Sequence, residues 1–229
     1  LAGEEEMTDL LLKLAGLFAF LPMELIASLI KLEVRGRENI PDHGYILCPT
    51  HRGELDPYLI RRALRDRLTF NKKNRYLFRL KFGPGVQRLF LTYWGGWIVE
   101  ESSLNVRALR GALKWLAQEC PLTVFPEGHQ HGQGVIHKGA AFLACRSGKP
   151  LLPLVIDRGV FVGEGTPFYT FPFRVLWRYL REAPRVRLIF REPLWPDRER
   201  YRCEGQGYLE ALTRELGTRL FERELEVIG

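Results

Sequence analysis

The strongest constraint on this chain is an alternation: from about residue 32 onward, short apolar runs rich in β-prone residues alternate with longer segments of helical period. Such alternation is the pattern of an α/β protein, in which helices cover the faces of a sheet. Strands are expected at Leu32–Arg35, Tyr45–Cys48, Leu68–Asn71, Gly96–Val99, Leu122–Phe125, Leu151–Ile156 and Val186–Phe190. Helices are expected at Pro57–Arg65, Arg75–Lys81, Gly85–Leu91, Leu104–Glu119, Gly139–Ser147 and Gly207–Glu226. In the last of these Leu209, Leu212, Leu216, Leu220 and Phe221 recur at three- and four-residue steps, so one apolar face docks on the domain. A chain of 229 residues supports one substantial core rather than two small ones. The expected fold is therefore α/β, a largely mixed or parallel central sheet flanked by helices over residues 33–229, preceded by a helical hairpin over 1–32.

That hairpin is the stretch Leu10–Leu32, long enough to span a bilayer but carrying Lys13, Glu24 and a central Pro22. Two short helices meeting near Pro22 fit better than a clean span. Their apolar face either lies in the bilayer boundary or packs on the chain's own domain. The charged leader and small-residue cleavage site of a secretory signal are not evident. With 34 Lys and Arg against 27 Asp and Glu, the formal charge is +7 and the isoelectric point about 9.4, which favours an anionic partner. The charge is dispersed, and no recognition helix or aromatic RNA platform is evident, so nucleic acid is the poorest fit. Cys48, Cys120, Cys145 and Cys203 stand far apart without metal-ligand spacing, as expected of reduced thiols in a cytosolic compartment.

The chemistry-bearing residues cluster in two places. In Thr50-His51-Arg52-Gly53-Glu54-Leu55-Asp56 an apolar run delivers a histidine and, five residues on, an aspartate to a loop. An imidazole takes a proton only through a nitrogen with a free lone pair, and a carboxylate on the other nitrogen fixes that tautomer. The pair therefore points to hydroxyl activation. In the second cluster, Leu122-Thr123-Val124-Phe125-Pro126-Glu127-Gly128, a carboxylate emerges where a strand ends, the edge at which α/β sheets gather ligands. Lys138 then opens a helix whose first amides make an anion seat. The segment Gly163–Trp177, rich in Gly, Pro and aromatics, has no firm period and reads as a long excursion beside the sheet. Plain packing explains its aromatics most simply, with an acyl-chain channel or a lipid contact as the alternative.

In order along the chain, His51 and Asp56 at His-x4-Asp spacing, Gly96-Trp97-Ile98-Val99-Glu100, Phe125-Pro126-Glu127-Gly128 and Pro150-Leu151-Leu152-Pro153 resemble the four blocks of the glycerolipid acyltransferase family typified by bacterial 1-acylglycerol-3-phosphate acyltransferase. The resemblance covers about Leu32 to Pro193. It implies transfer of a fatty acyl group from acyl-CoA or acyl carrier protein to the hydroxyl of a lysophospholipid or related glycerolipid, on the cytoplasmic face of the cell membrane, with no metal or other cofactor. By the same resemblance His51 is the general base, Asp56 its orienting partner, and Glu127 and Gly128 shape the acceptor or oxyanion region. It also implies an N-terminal two-helix element that meets the membrane. Relatives carry arginines at the end of the second block and after the third, where this chain has Glu100-Glu101 and His129-Gln130-His131. Either Arg52, Lys72, Lys73 or Lys138 holds the acceptor's phosphate, or the acceptor is not a simple glycerol phosphate. The added negative charge of Glu100 and Glu101 favours the second.

Bland roles stand beside these. Glu127 serves equally well as a structural cap on backbone amides, and Trp97 as core. His129, His131 and His137 with His51 and Asp56 raise a metal-dependent hydrolase as an alternative, disfavoured because His129 and His131 point to opposite sides of an extended segment. A non-catalytic lipid-binding module is the third reading, and the retained His51–Asp56 pair argues against it.

Overall fold

The computed structural model describes residues 20–65, 74–78, 87, 91–99, 105–128, 135–160, 171–182 and 185–221. Helix α1 (20–29) leads into strand β1 (Lys31–Arg35), a 3-10 turn at Arg37–Asn39, and β2 (Ile46–Pro49). Then come α2 (Asp56–Leu64), β3 (Arg75–Phe78), the helical segment α3 (91–94), β4 (Gly96–Ile98), α4 (Val106–Ala117) and β5 (Leu122–Val124). The remainder is α5 (Gly139–Ser147), β6 (Leu151–Ile156), α6 (Phe171–Glu182), β7 (Arg185–Phe190), α7 (Arg198–Glu204) and α8 (Gln206–Phe221).

The seven strands form one sheet in the order β1-β7-β6-β2-β5-β3-β4. Every neighbouring pair is parallel except β6 with β7. The central strands read as unbroken apolar runs because both their faces are covered. In β2 and the residue before it, Tyr45 and Leu47 point into one core, with α1, α2 and α6, while Ile46 and Cys48 point into the other, with α4, α5 and α8. Cys48, Cys120 and Cys145 are buried free thiols and Cys203 is an exposed one.

The α/β architecture and mostly parallel sheet expected from the sequence are present, with boundaries shifted by a residue or two. Two expectations fail. Where a helix is expected from Arg75, Arg75–Phe78 is a strand between β5 and β4, its Tyr76 and Leu77 only 2% and 8% exposed. Burial between two neighbours overrides the local helical pattern there. The second is the end of the Gly163–Trp177 excursion, where Phe171–Glu182 forms a full helix with Val175 and Tyr179 in the core. Helix α7 was not anticipated; Asp197 caps it, accepting from the Arg200 amide at 2.9 Å. The strand expected at Leu68–Asn71 and the first half of the N-terminal hairpin lie outside the described residues. The second half contains α1, in which Met23, Ile26 and Ala27 pack on the domain together with Ile30 just after it. Among the described residues no helix is long and apolar enough to cross a membrane.

Candidate active site

Because β6, β2, β5, β3 and β4 run parallel, their carboxyl ends share one edge of the sheet. His51 leaves that edge two residues beyond β2. The backbone there is pinned by Thr50, whose buried hydroxyl accepts from the Ile156 amide at 2.9 Å and donates to the Ile156 carbonyl at 3.3 Å. Thr50 thereby extends the β2–β6 ladder past Pro49, whose ring nitrogen has no hydrogen to give.

Asp56 opens α2, and the chain folds back so that its carboxylate meets the loop it has just left. Asp56 Oδ2 lies 2.8 Å from His51 Nδ1 and accepts the amides of Arg52 at 2.6 Å and Gly53 at 2.9 Å. A carboxylate only accepts, so the proton sits on Nδ1 and the lone pair on Nε2. The positive end of the α2 dipole adds to the stabilisation of this wholly buried charge. The imidazole itself remains 21% exposed, which leaves it accessible while its partner is dry. Phe125 packs against it with ring centroids 4.6 Å apart.

Glu127 completes the support. The register of β2 with β5 pairs Leu47 with Thr123, and four residues further on this carries Glu127 opposite His51. Glu127 is fully buried, and its Oε1 accepts the His51 backbone amide at 2.9 Å. Of the two roles left open by the sequence, the observed contact is that of a clamp on backbone. Gly128 sits in the turn below at φ 61°, in the left-handed region, its amide donating to Phe125 O at 3.2 Å.

The loop that carries His51 is tightly packed. A Cβ on Gly53 would run into Tyr179 Oη of α6 and stand 2.6 Å from the Val160 nitrogen. A Cβ on Gly159 would strike the Arg52 carbonyl. Tyr179 and Thr50 escape sequence reasoning, the first because a distant helix supplies it. The approach of Tyr179 and Val160 to Gly53 likewise has no signal in the sequence around it.

The other sequence candidates scatter. Arg52 is half-buried beside His51, and among the described residues its guanidinium makes no ion pair. Lys138 immediately precedes α5, but its ammonium bonds Glu210 of α8 at 2.7 Å, on a groove of about 480 Å³ also lined by Arg214 and Phe221. That contact occupies the cation expected to seat an anion. Gly96, at φ 119°, begins β4 where a Cβ would collide with the Tyr76 carbonyl, so its place is fixed by strand packing. Lys72, Lys73, Glu100, Glu101, His129 and His131 lie outside the described residues. Among the described residues no group of three or more His, Cys, Asp or Glu is arranged to hold a metal ion.

The family model described as acyltransferase matches residues 31–157. No curated protein matches the chain significantly. Among solved structures, the chain is similar to the 1-acyl-sn-glycerophosphate acyltransferase from Thermotoga maritima, with 22% identity and a TM-score of 0.48 over 88% of this chain and 80% of that one. The matched segment spans more than half of the sequence, runs from β1 through β6 and so includes all five strands that build the His51 edge. This protein belongs to the acyltransferase family.

Proposed function

We propose that the protein is an O-acyltransferase that moves a fatty acyl group from the thioester of acyl-CoA or acyl carrier protein to the hydroxyl of a lysophospholipid or related glycerolipid. The observation that carries this reading is the His51 Nδ1 to Asp56 Oδ2 contact of 2.8 Å at the carboxyl edge of the family-matched sheet. His51 Nε2 takes the acceptor's hydroxyl proton as the oxygen attacks the thioester carbonyl. The tetrahedral intermediate then expels the thiolate, and the imidazolium returns the proton to that sulfur. Asp56 stabilises the imidazolium between the two transfers, help worth about 10²–10⁴ in rate for a general base of this kind. Glu127 acts by positioning, since it holds the His51 backbone, and Gly128 shapes the turn beside it.

In this reading Arg52, the residue after the base, supplies a cation for an anionic headgroup, with Lys72 and Lys73 as further candidates and Lys138 less suited because Glu210 neutralises it. The replacement of the relatives' arginines by Glu100-Glu101 and His129-Gln130-His131 supports an acceptor other than a simple glycerol phosphate. The segment 1–32 is assigned a membrane contact and the enzyme a peripheral or monotopic place on the cytoplasmic face of the cell membrane. The test is purified protein, a radiolabelled acyl thioester, and a panel of lysolipids with and without a phosphate. Labelled diacyl product is expected, including from phosphate-free acceptors. Transfer to lysophosphatidate alone contradicts the altered acceptor, and release of free fatty acid with every acceptor contradicts acyl transfer.

A further inference from the structure

Helix α6 is apolar on two sides, and the core accounts for only one. Val175 and Tyr179 are buried and Leu176 packs partly against the same cluster. Phe173, Trp177 and Leu180 face the other way, 74%, 68% and 52% exposed, and their four- and three-residue spacing makes them one stripe. Single exposed apolar side chains are ordinary, whereas an aligned row of large ones marks a contact surface. Arg174, Arg178 and Arg181 flank the row; Glu182, the helix's one carboxylate, pairs with Arg178 at 3.0 Å, so the net charge of +2 rests on Arg174 and Arg181.

The same layer carries a second stripe. Helix α1 buries Met23, Ile26 and Ala27 in the cluster that also receives Val175 and Tyr179, and turns Leu21, Leu25 and Leu29 outward, 41%, 58% and 64% exposed. Helices α1 and α6 lead into β1 and β7, which are neighbours in the sheet and parallel. One side of the molecule thus presents two amphipathic helices whose second apolar faces have no partner within the described residues.

We propose that α6 is an interfacial helix that seats this layer on an anionic lipid surface. Phe173, Trp177 and Leu180 enter the boundary between headgroups and acyl chains, Arg174 and Arg181 meet lipid phosphates, and the leucine row of α1 enters beside them. Large aromatic and aliphatic side chains bordered by arginines are the composition of helices that lie in such a boundary, and the net positive charge of α6 complements anionic headgroups. The proposal rests on the acyltransferase reading for its purpose, because a lipid substrate reaches the site from such a surface. Tyr179, on the inner side of α6, has its hydroxyl against Gly53 of the catalytic loop. The lipid-facing row therefore stands one helix diameter, about 10 Å, from that loop.

The test uses the full chain with Cys203, its one exposed thiol, replaced by serine, and Phe173→Cys carrying an environment-sensitive fluorophore. It is mixed with phosphatidylcholine vesicles with and without phosphatidylglycerol, in the absence of donor and acceptor. The expected result is a blue-shifted, brighter label that brominated acyl chains quench, more strongly when phosphatidylglycerol is present. The same label at exposed Thr218 of α8, on the opposite layer, stays unchanged. Trp177→Glu with Leu180→Glu lowers vesicle partitioning at least tenfold with the melting curve retained. The proposal is overturned if the protein fails to bind vesicles, or if bound protein keeps the position-173 label in a water-like environment, as it would were the stripe a site for a protein partner. Partitioning needs no turnover. An active enzyme that fails it refutes the docking alone, and a vesicle-bound protein without acyl transfer refutes the catalytic reading alone.

Discussion

At the scale of single residues, Asp56 and Glu127 do different work on the same histidine. Asp56 acts through the ring and Glu127 through the backbone, so their substitutions separate. Asp56→Asn removes the charge that stabilises the imidazolium and is expected to lower kcat by about 10²–10⁴. Glu127→Ala leaves the part-buried His51 amide without this acceptor, at about 1–3 kcal/mol of stability. Glu127→Gln keeps an oxygen at that position and is expected to recover most of this. Urea melts alongside initial rates check the pair: equal stability loss in Ala and Gln variants would contradict the clamp. The His51–Asp56 pairing was legible in the sequence because it is local, a loop and the first turn of the helix that follows. The clamp was not, because Glu127 reaches His51 only through the register of β2 with β5, which apolar patterning leaves unspecified.

At the scale of elements, the site depends on how β2 and the loop after β6 are held together. Thr50→Val deletes both side-chain bonds to Ile156 and is expected to cost about 1–3 kcal/mol, read from the urea midpoint. Gly53→Ala forces a methyl into Tyr179 and Val160, with overpacking of about 1–3 kcal/mol and a fall in rate larger than the fall in stability explains. A Gly53→Ala enzyme with wild-type rate would contradict the tightly packed loop. Helices with a strong three- and four-residue rhythm were readable in advance: α5 falls on its expected residues, and Leu209, Leu212, Leu216 and Leu220 of α8 are all buried. Strand β3 was not, since Arg-Tyr-Leu-Phe is too short to declare a period and its identity comes from lying between β5 and β4. Helix α6 was obscured because Gly163, Gly165, Pro167 and Pro172 read as breakers, although Pro172 stands in the first turn of the helix, where proline is tolerated.

At the scale of the whole molecule, folding places several acidic protons where ionisation is penalised. Burial pushes up the phenols of Tyr58, Tyr76 and Tyr179, the last also through the nearby Asp56 carboxylate, and burial alone pushes up the Cys48 thiol. A group raised in the folded state loses its proton first in the unfolded chain. Stability is therefore complete below the ordinary thiol and phenol values, about 8.5 and 10, and falls as the pH rises above them. Urea midpoints from neutral pH upward should decline steeply beyond about pH 10, and a flat profile would contradict the buried phenols. The same two-layered packing holds the carboxyl edge of the sheet rigid while His51 stays reachable, and on that edge the catalytic account stands. Its most direct test is the initial rate of thiol release from an acyl thioester in the presence of a lysolipid acceptor, compared between the wild-type protein and His51→Ala. The account predicts acceptor-dependent release that falls by at least about 10²-fold in the variant, with the melting curve unchanged; a folded His51→Ala protein that still transfers acyl groups at a comparable rate would contradict it.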